Sequence, residues 1–137
     1  MTRRQREARF VNEWLMLKFP TAMQWRRVRV GPIPDKKLGR LMKITLRWVD
    51  AVVYDGTNVY IIEAKLRPEL GAISQLKEYV RLFRETPEFS MIRDKPIVPI
   101  LLLPYEWKDL IDAARREGIQ VEIYKPRWLY EEMGWKL

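Results

Sequence analysis

Apolar residues at positions 10, 11, 14, 15 and 17 recur at the spacing of one helix face, which predicts an amphipathic helix over about 4–19, ending before Pro20. Residues 24–31 (QWRRVRVG) alternate Trp25, Arg27 and Arg29 with Arg26, Val28 and Val30, the period of a half-buried strand. The next stretch, 31–43, holds two prolines, two glycines and charge, and reads as a loop. Strands are predicted over about 45–54 and 58–65. A helix over about 71–86 is introduced by Pro68 and Gly71 and stopped by Pro87. The run IVPILLL at 97–103 reads as a buried strand whose Pro99 favours a sheet edge or a bulge. A helix over about 105–117, a strand over 119–124 and a short helix over 127–133 complete the chain. The order α-β-β-β-α-β-α-β, closed by that helix, predicts an α/β fold with a mixed central sheet flanked by helices. No repeat or long linker divides the 137 residues, so one domain spanning 1–137 is expected.

Charge changes this picture by its distribution. Residues 1–47 carry 13 Lys or Arg against 3 Asp or Glu, a net of +10, whereas the remainder is net −2. A one-sided basic surface with Trp25 and Trp48 interleaved suits a polyphosphate partner, DNA or RNA. The chain has neither Cys nor His. That excludes disulfides, zinc fingers, iron–sulfur ligation by cysteine and His-based catalysis, and leaves oxygen donors as the only strong metal ligands. The first residues lack the apolar stretch of a signal peptide, and no run of about 18 uncharged apolar residues suggests a membrane span. An intracellular, cytoplasmic protein without a membrane partner is expected.

The stretch DAVVYDGTNVYIIEAK, residues 50–65, reads as a hairpin with charges in unexpected places. With Gly56-Thr57 as the loop, a type II′ turn pairs Asp50 with Glu63. With Asp55-Gly56 as the loop, Glu63 becomes the diagonal neighbour of Asp50. Either register gathers both carboxylates on one face, and Lys65, two residues on, points the same way. Opposed like charges destabilise a strand ladder, and a divalent cation relieves that repulsion.

Asp50, then Glu63-Ala64-Lys65 thirteen residues on, resembles the D…(D/E)xK signature of the PD-(D/E)XK nuclease superfamily. Gln75-Leu76-Lys77-Glu78-Tyr79 on the next helix is similar to the QxxxY motif of its RecB-like branch. The resemblance implies a restriction-endonuclease-like αβββαβ core, here followed by an α-β-α extension. The family's proline is absent before Asp50, where Val49 stands, and the literal Pro34-Asp35 lies in the polar loop. Absence of cysteine sets the chain apart from the Cas4 members. Members often add a glutamate from the first helix. Glu7 lies in line with Phe10, Val11, Trp14 and Leu15, while Glu13 falls about 120° away at 100° per residue. The spacing from Glu7 also resembles the first helix of archaeal Holliday-junction resolvases.

What the resemblance implies is hydrolysis of a phosphodiester with Mg²⁺ or Mn²⁺. Asp50, Glu63, the Ala64 carbonyl and Glu7 would be ligands, Lys65 would position a water or stabilise developing charge, and Gln75 and Tyr79 would contact DNA or orient the site. Arg26, Arg27, Arg29, Lys36 and Lys37 are candidate phosphate contacts, which position a substrate without reading its sequence. A non-catalytic nucleic-acid-binding module and an assembly protein with a basic docking face are the competing readings. The apolar carboxy-terminal piece WLYEEMGWKL either serves a homodimer or caps the core through Trp128 and Trp135.

Overall fold

The computed structural model describes residues 1–32 and 47–136. Helix α1 spans Arg3–Lys18 and opens with a capping box. Thr2 Oγ1 accepts from the Gln5 N–H at 3.2 Å, and Gln5 Oε1 accepts from the Thr2 N–H at 2.8 Å. Strands β1 (Met23–Val30), β2 (Arg47–Tyr54) and β3 (Val59–Ala64) form an antiparallel meander. Helix α2 (Gly71–Phe83) and a single 3₁₀ turn at Pro87–Phe89 cross over to β4 (Ile97–Leu103), which pairs parallel with β3. Helix α3 (Lys108–Arg116) leads to β5 (Gln120–Ile123), parallel to β4, and α4 (Arg127–Met133) follows. The sheet order is β1-β2-β3-β4-β5, a mixed α/β sheet with helices on both faces.

Two apolar layers hold the helices to the sheet. On one face Leu76, Tyr79 and Phe83 of α2 and Leu110 of α3 pack on Val52, Ile61, Leu101 and Leu103. On the other, Phe10, Trp14 and Leu15 of α1 and Leu129 of α4 cover Ala51, Val53, Ile62, Ile100 and Leu102. Each large side chain buried in this way contributes about 1.5–3 kcal/mol. Coverage on both sides explains why β3 and β4 read as nearly continuous apolar runs.

Three details differ from the pattern reading, each for an identifiable reason. Strand β4 is interior, not an edge. Pro99 is tolerated because it pairs with Ile61 on one side, while β5 pairing starts only at Ile100. Helix α2 stops at Phe83, three residues early. The N–H groups of Glu85 and Thr86 turn back to the carbonyls of Leu82 and Phe83, and Thr86 Oγ1 donates to the Leu82 carbonyl while accepting from Gly31 N–H, both at 2.8 Å. Helix α3 starts at Lys108 because Trp107 is still extended. The carboxy-terminal apolar residues are used within the molecule: Trp128 and Trp135 pack against the α1-side layer. Among the described residues, no helix is long and apolar enough to cross a membrane.

Candidate active site

The β2–β3 hairpin uses the Gly56-Thr57 loop. Gly56 adopts φ +97°, which glycine supplies without a Cβ penalty, and Asp55 N–H donates to the Asn58 carbonyl at 3.2 Å. Asp55 Oδ1 accepts from the N–H groups of Thr57 and Asn58 at 2.8 and 2.7 Å, and Oδ2 accepts from the Tyr60 hydroxyl at 2.9 Å. The ladder then runs from Tyr54–Val59 to Ala51–Ile62. One step further, Asp50 stands opposite Glu63, and there backbone pairing ends. The Ala64 N–H instead donates to Asp50 Oδ2 at 2.8 Å, so a carboxylate takes the place of a strand carbonyl.

The partner strand breaks at the same level. Pairing of β1 with β2 passes from Arg26–Ala51 to Val28–Val49, leaving Arg27 and Asp50 outside the ladder. Arg27 adopts φ +48°, a left-handed conformation costing a non-glycine residue roughly 1–2 kcal/mol. Alternation fails on both strands: Val49 and Val52, three apart, face the same layer, as do Trp25 and Val28. The irregularity releases Asp50 from the pleat and aims its carboxylate at the end of β3.

Glu63 is only 6% exposed, and its Oε2 has no hydrogen-bond partner among the described residues. Burial, reinforced by the neighbouring Asp50 carboxyl, pushes its pKa up to about 9, against the opposing pull of Lys65 and Tyr79. Tyr79 reaches this position from α2. It is 3% exposed, packs in the α2-side layer, and its own pKa is raised by burial and by Glu63. Core packing and the site therefore share this tyrosine. Lys65 Nζ pairs with Glu69 at 3.2 Å, and its backbone N–H continues the β3–β4 ladder to the Leu102 carbonyl at 3.1 Å.

Around this pair the surface is hollowed on three sides. Glu63, Ala64, Lys65 and Arg67 line a polar hollow of about 280 Å³ with Glu7 and Arg6 of α1. Glu7 also borders a hollow of about 230 Å³ holding Asp50, Arg26 and Arg27, so this side chain divides the two. Lys65 continues into a third, about 580 Å³, with Gln75, Tyr79, Ser74 and Arg47. The structure thus places Asp50, Glu63, Lys65, Glu7, Gln75 and Tyr79 along three adjoining hollows, a trough divided at Glu7 and Lys65. It does not gather three acidic side chains around one point: among the described residues, no group of three potential ligands is arranged to hold a metal ion. Glu7 stands aside, accepting from Arg3 Nε at 3.1 Å. Glu13 is structural, bonded by Trp128 at 2.6 Å and Tyr124 at 3.0 Å. Burial opposes ionisation there, and the bonds from Trp128, Tyr124 and Arg9 outweigh it to lower the pKa.

Of the basic residues singled out, Arg26 and Arg27 flank Asp50, whereas Arg29 is committed to an ion pair with Glu88. Lys36 and Lys37 lie outside the described residues. Sequence reasoning missed Arg6 and Arg67 on the Glu63 hollow. Arg6 Nε is enclosed without a hydrogen-bond partner among the described residues, while its Nη2 pairs with Glu132 at 3.7 Å. A signal for the first was present: the opening turn of α1 carries arginines and no acid, against the helix dipole. The donors at the pair are all oxygens, and the enclosed Oε2 of Glu63 beside Asp50 fits a hard divalent cation such as Mg²⁺ or Mn²⁺.

No protein-family model matches the chain, and no curated protein matches it. Among solved structures, the fold is similar to that of a repair endonuclease from Pyrococcus abyssi at 17% identity and TM-score 0.53, covering 86% of this chain and 46% of that one. It is similar to EndoMS in a dsDNA complex at 22% identity and TM-score 0.51, covering 86% and 44%. A protein of unknown function, AF1548, aligns at 13% identity and TM-score 0.58 over 94% and 67%. The chain spans less than half the length of the first two, and the likeness is one of fold.

Proposed function

We propose that the chain is a metal-dependent DNA nuclease of the PD-(D/E)XK type, a structure-specific endonuclease of junction-resolvase kind or a RecB-like exonuclease. One observation carries the reading: two carboxylates are forced together where the sheet ladder opens, one of them buried with an oxygen left unpaired among the described residues. Such a placement costs stability and is retained where chemistry needs it. The fold shared with a repair endonuclease and with EndoMS supports the same reading.

Asp50 and Glu63, with the Ala64 carbonyl, would hold Mg²⁺ or Mn²⁺, and Glu7, set back on α1, would reach the ion directly or through water. The ion supplies Lewis-acid polarisation of a phosphoryl oxygen and makes a bound water more acidic. Lys65 places an ammonium at the rim, where it orients the attacking water and stabilises charge developing on the phosphate. Tyr79 fixes the Glu63 carboxyl from the α2 side, and Gln75 presents its amide to the same trough. Arg26 and Arg27 hold backbone phosphates beside Asp50, which sets the register of the strand without reading bases.

A second reading, a non-catalytic DNA-binding module on the same fold, is favoured by the absence of a third carboxylate beside the pair among the described residues. A panel of single-stranded, duplex, overhang and branched DNA, incubated with Mg²⁺ or Mn²⁺, separates the two. The nuclease reading expects cleavage by the wild type that Lys65→Ala removes. Salt-sensitive binding without cleavage of any substrate supports the module.

A further inference from the structure

The chain leaving β3 passes from Glu63 to Arg67 in four residues, at most about 13–14 Å of extended backbone. Arg67 lines both the polar hollow that contains Glu63 and a second cleft of about 330 Å³. That second cleft is unlike the first. Its walls are aromatic: Tyr105, Trp107, Tyr130 and Trp135, with Pro68. Tyr105 and Trp107 stand 6.1 Å apart at 49°, and Trp135 meets Tyr130 edge-on at 5.5 Å. Tyr105 remains 47% exposed, a large aromatic ring open to solvent. Cations border the aromatic surface: Arg67 lies 5.5 Å over the Trp135 ring and Lys125 lies 5.4 Å over Tyr105. Trp107 and Pro68 also wall an adjoining hollow of about 410 Å³ that carries Lys108.

We infer that this aromatic cleft receives an unpaired nucleobase of the DNA strand that lies across Asp50 and Glu63. The inference rests on the nuclease reading for what occupies the trough. Aromatic walls offer the flat faces on which a base stacks, and the bordering Arg67 suits a phosphate that flanks it, whereas Lys125 is paired with Glu106 at 2.7 Å. A paired base is already stacked within its helix, so the cleft selects a strand with an unpaired nucleotide a short distance from the scissile phosphate. The preferred substrate class is therefore DNA with a single-stranded flank, an overhang or an unpaired loop, and not a uniform duplex.

The test uses the full chain carrying Glu63→Gln, in which binding is read without cleavage, and DNA with 2-aminopurine at successive positions of a single-stranded overhang. Stacking in the cleft quenches the probe at one or two positions next to the duplex end. Tyr105→Ala, at an exposed site where folding is not at stake, removes the quenching and weakens overhang binding by about 5- to 100-fold while leaving duplex binding unchanged. Trp107→Ala does the same, and Trp107→Phe restores it. Absence of quenching at every position, or equal loss on overhang and duplex, overturns the inference. The nuclease reading fails separately: quenching that depends on Tyr105, with no cleavage by the wild type, retains the cleft and removes the enzyme.

Discussion

At the turn end of the β2–β3 hairpin, Asp55 accepts three hydrogen bonds, two of them from the backbone, and its carboxyl is held below its ordinary value of 3.8. At the open end of the same hairpin, Glu63 is buried beside a second carboxylate with an oxygen unpaired among the described residues, and its carboxyl is pushed up to about 9. The two ends are built from one pair of strands and one register. The turn end provides partners for both oxygens of its carboxylate and sets the register of the fold. The open end gives up a ladder pair, breaks alternation on two strands and strains Arg27. On the proposed reading, stability and chemistry fall to opposite ends of a single element.

The largest expected consequence is on cleavage. Lys65→Ala and Glu63→Gln each lower the rate with Mg²⁺ by at least about 10²-fold, whereas Asp55→Asn leaves it unchanged, as single-turnover assays would show. Next comes an opposite dependence of stability on pH. Glu63 holds in the fold a proton that the unfolded chain releases above its ordinary pKa of 4.5, so its contribution is full below that value and is lost as pH rises toward 9. Asp55 behaves the other way, its contribution present above 3.8 and lost as pH falls. In chelator, Glu63→Gln therefore raises Tm at pH 8 by a few degrees and changes it less at pH 5. A Tm gain that is the same at both pH values would remove the buried-carboxylate account.

Smaller effects sharpen the contrast. Gly56→Ala meets no steric neighbour but must hold φ +97°, so it costs about 1–2 kcal/mol in denaturant unfolding with cleavage intact. The smallest effect separates the arginines of β1. Arg26→Ala reduces the salt slope of DNA binding by about 1, and Arg29→Ala, already paired to Glu88, leaves it in place.

The elements were legible because their periods are local. The α1 stripe, the Asp55–Asn58 turn, strand β4 and helix α4 follow from residues within one or two turns of each other. Asp50, Glu63 and Lys65 were legible for the same reason, since one register brings them together. What escaped the pattern depends on distant partners. QWRRVRVG alternates smoothly in sequence, yet its pleat breaks at Arg27 against Asp50. Arg29 looked like its neighbours until Glu88, 59 residues away, claimed it. Helix α2 ends early through a bond between Thr86 and Gly31, 55 residues apart. The aromatic cleft draws on residues 67, 105, 107 and 135, which no sequence window contains.

Thermal unfolding of the wild type at pH 8 with increasing Mn²⁺, beside Glu63→Gln and Asp50→Asn, tests the open end most directly. The account predicts that Tm rises with Mn²⁺ in the wild type, reaching about 2.7 kcal/mol of added stability at a hundredfold excess over Kd, and that both variants lose the rise. A wild-type Tm indifferent to Mn²⁺, or an equal rise in all three proteins, would contradict it.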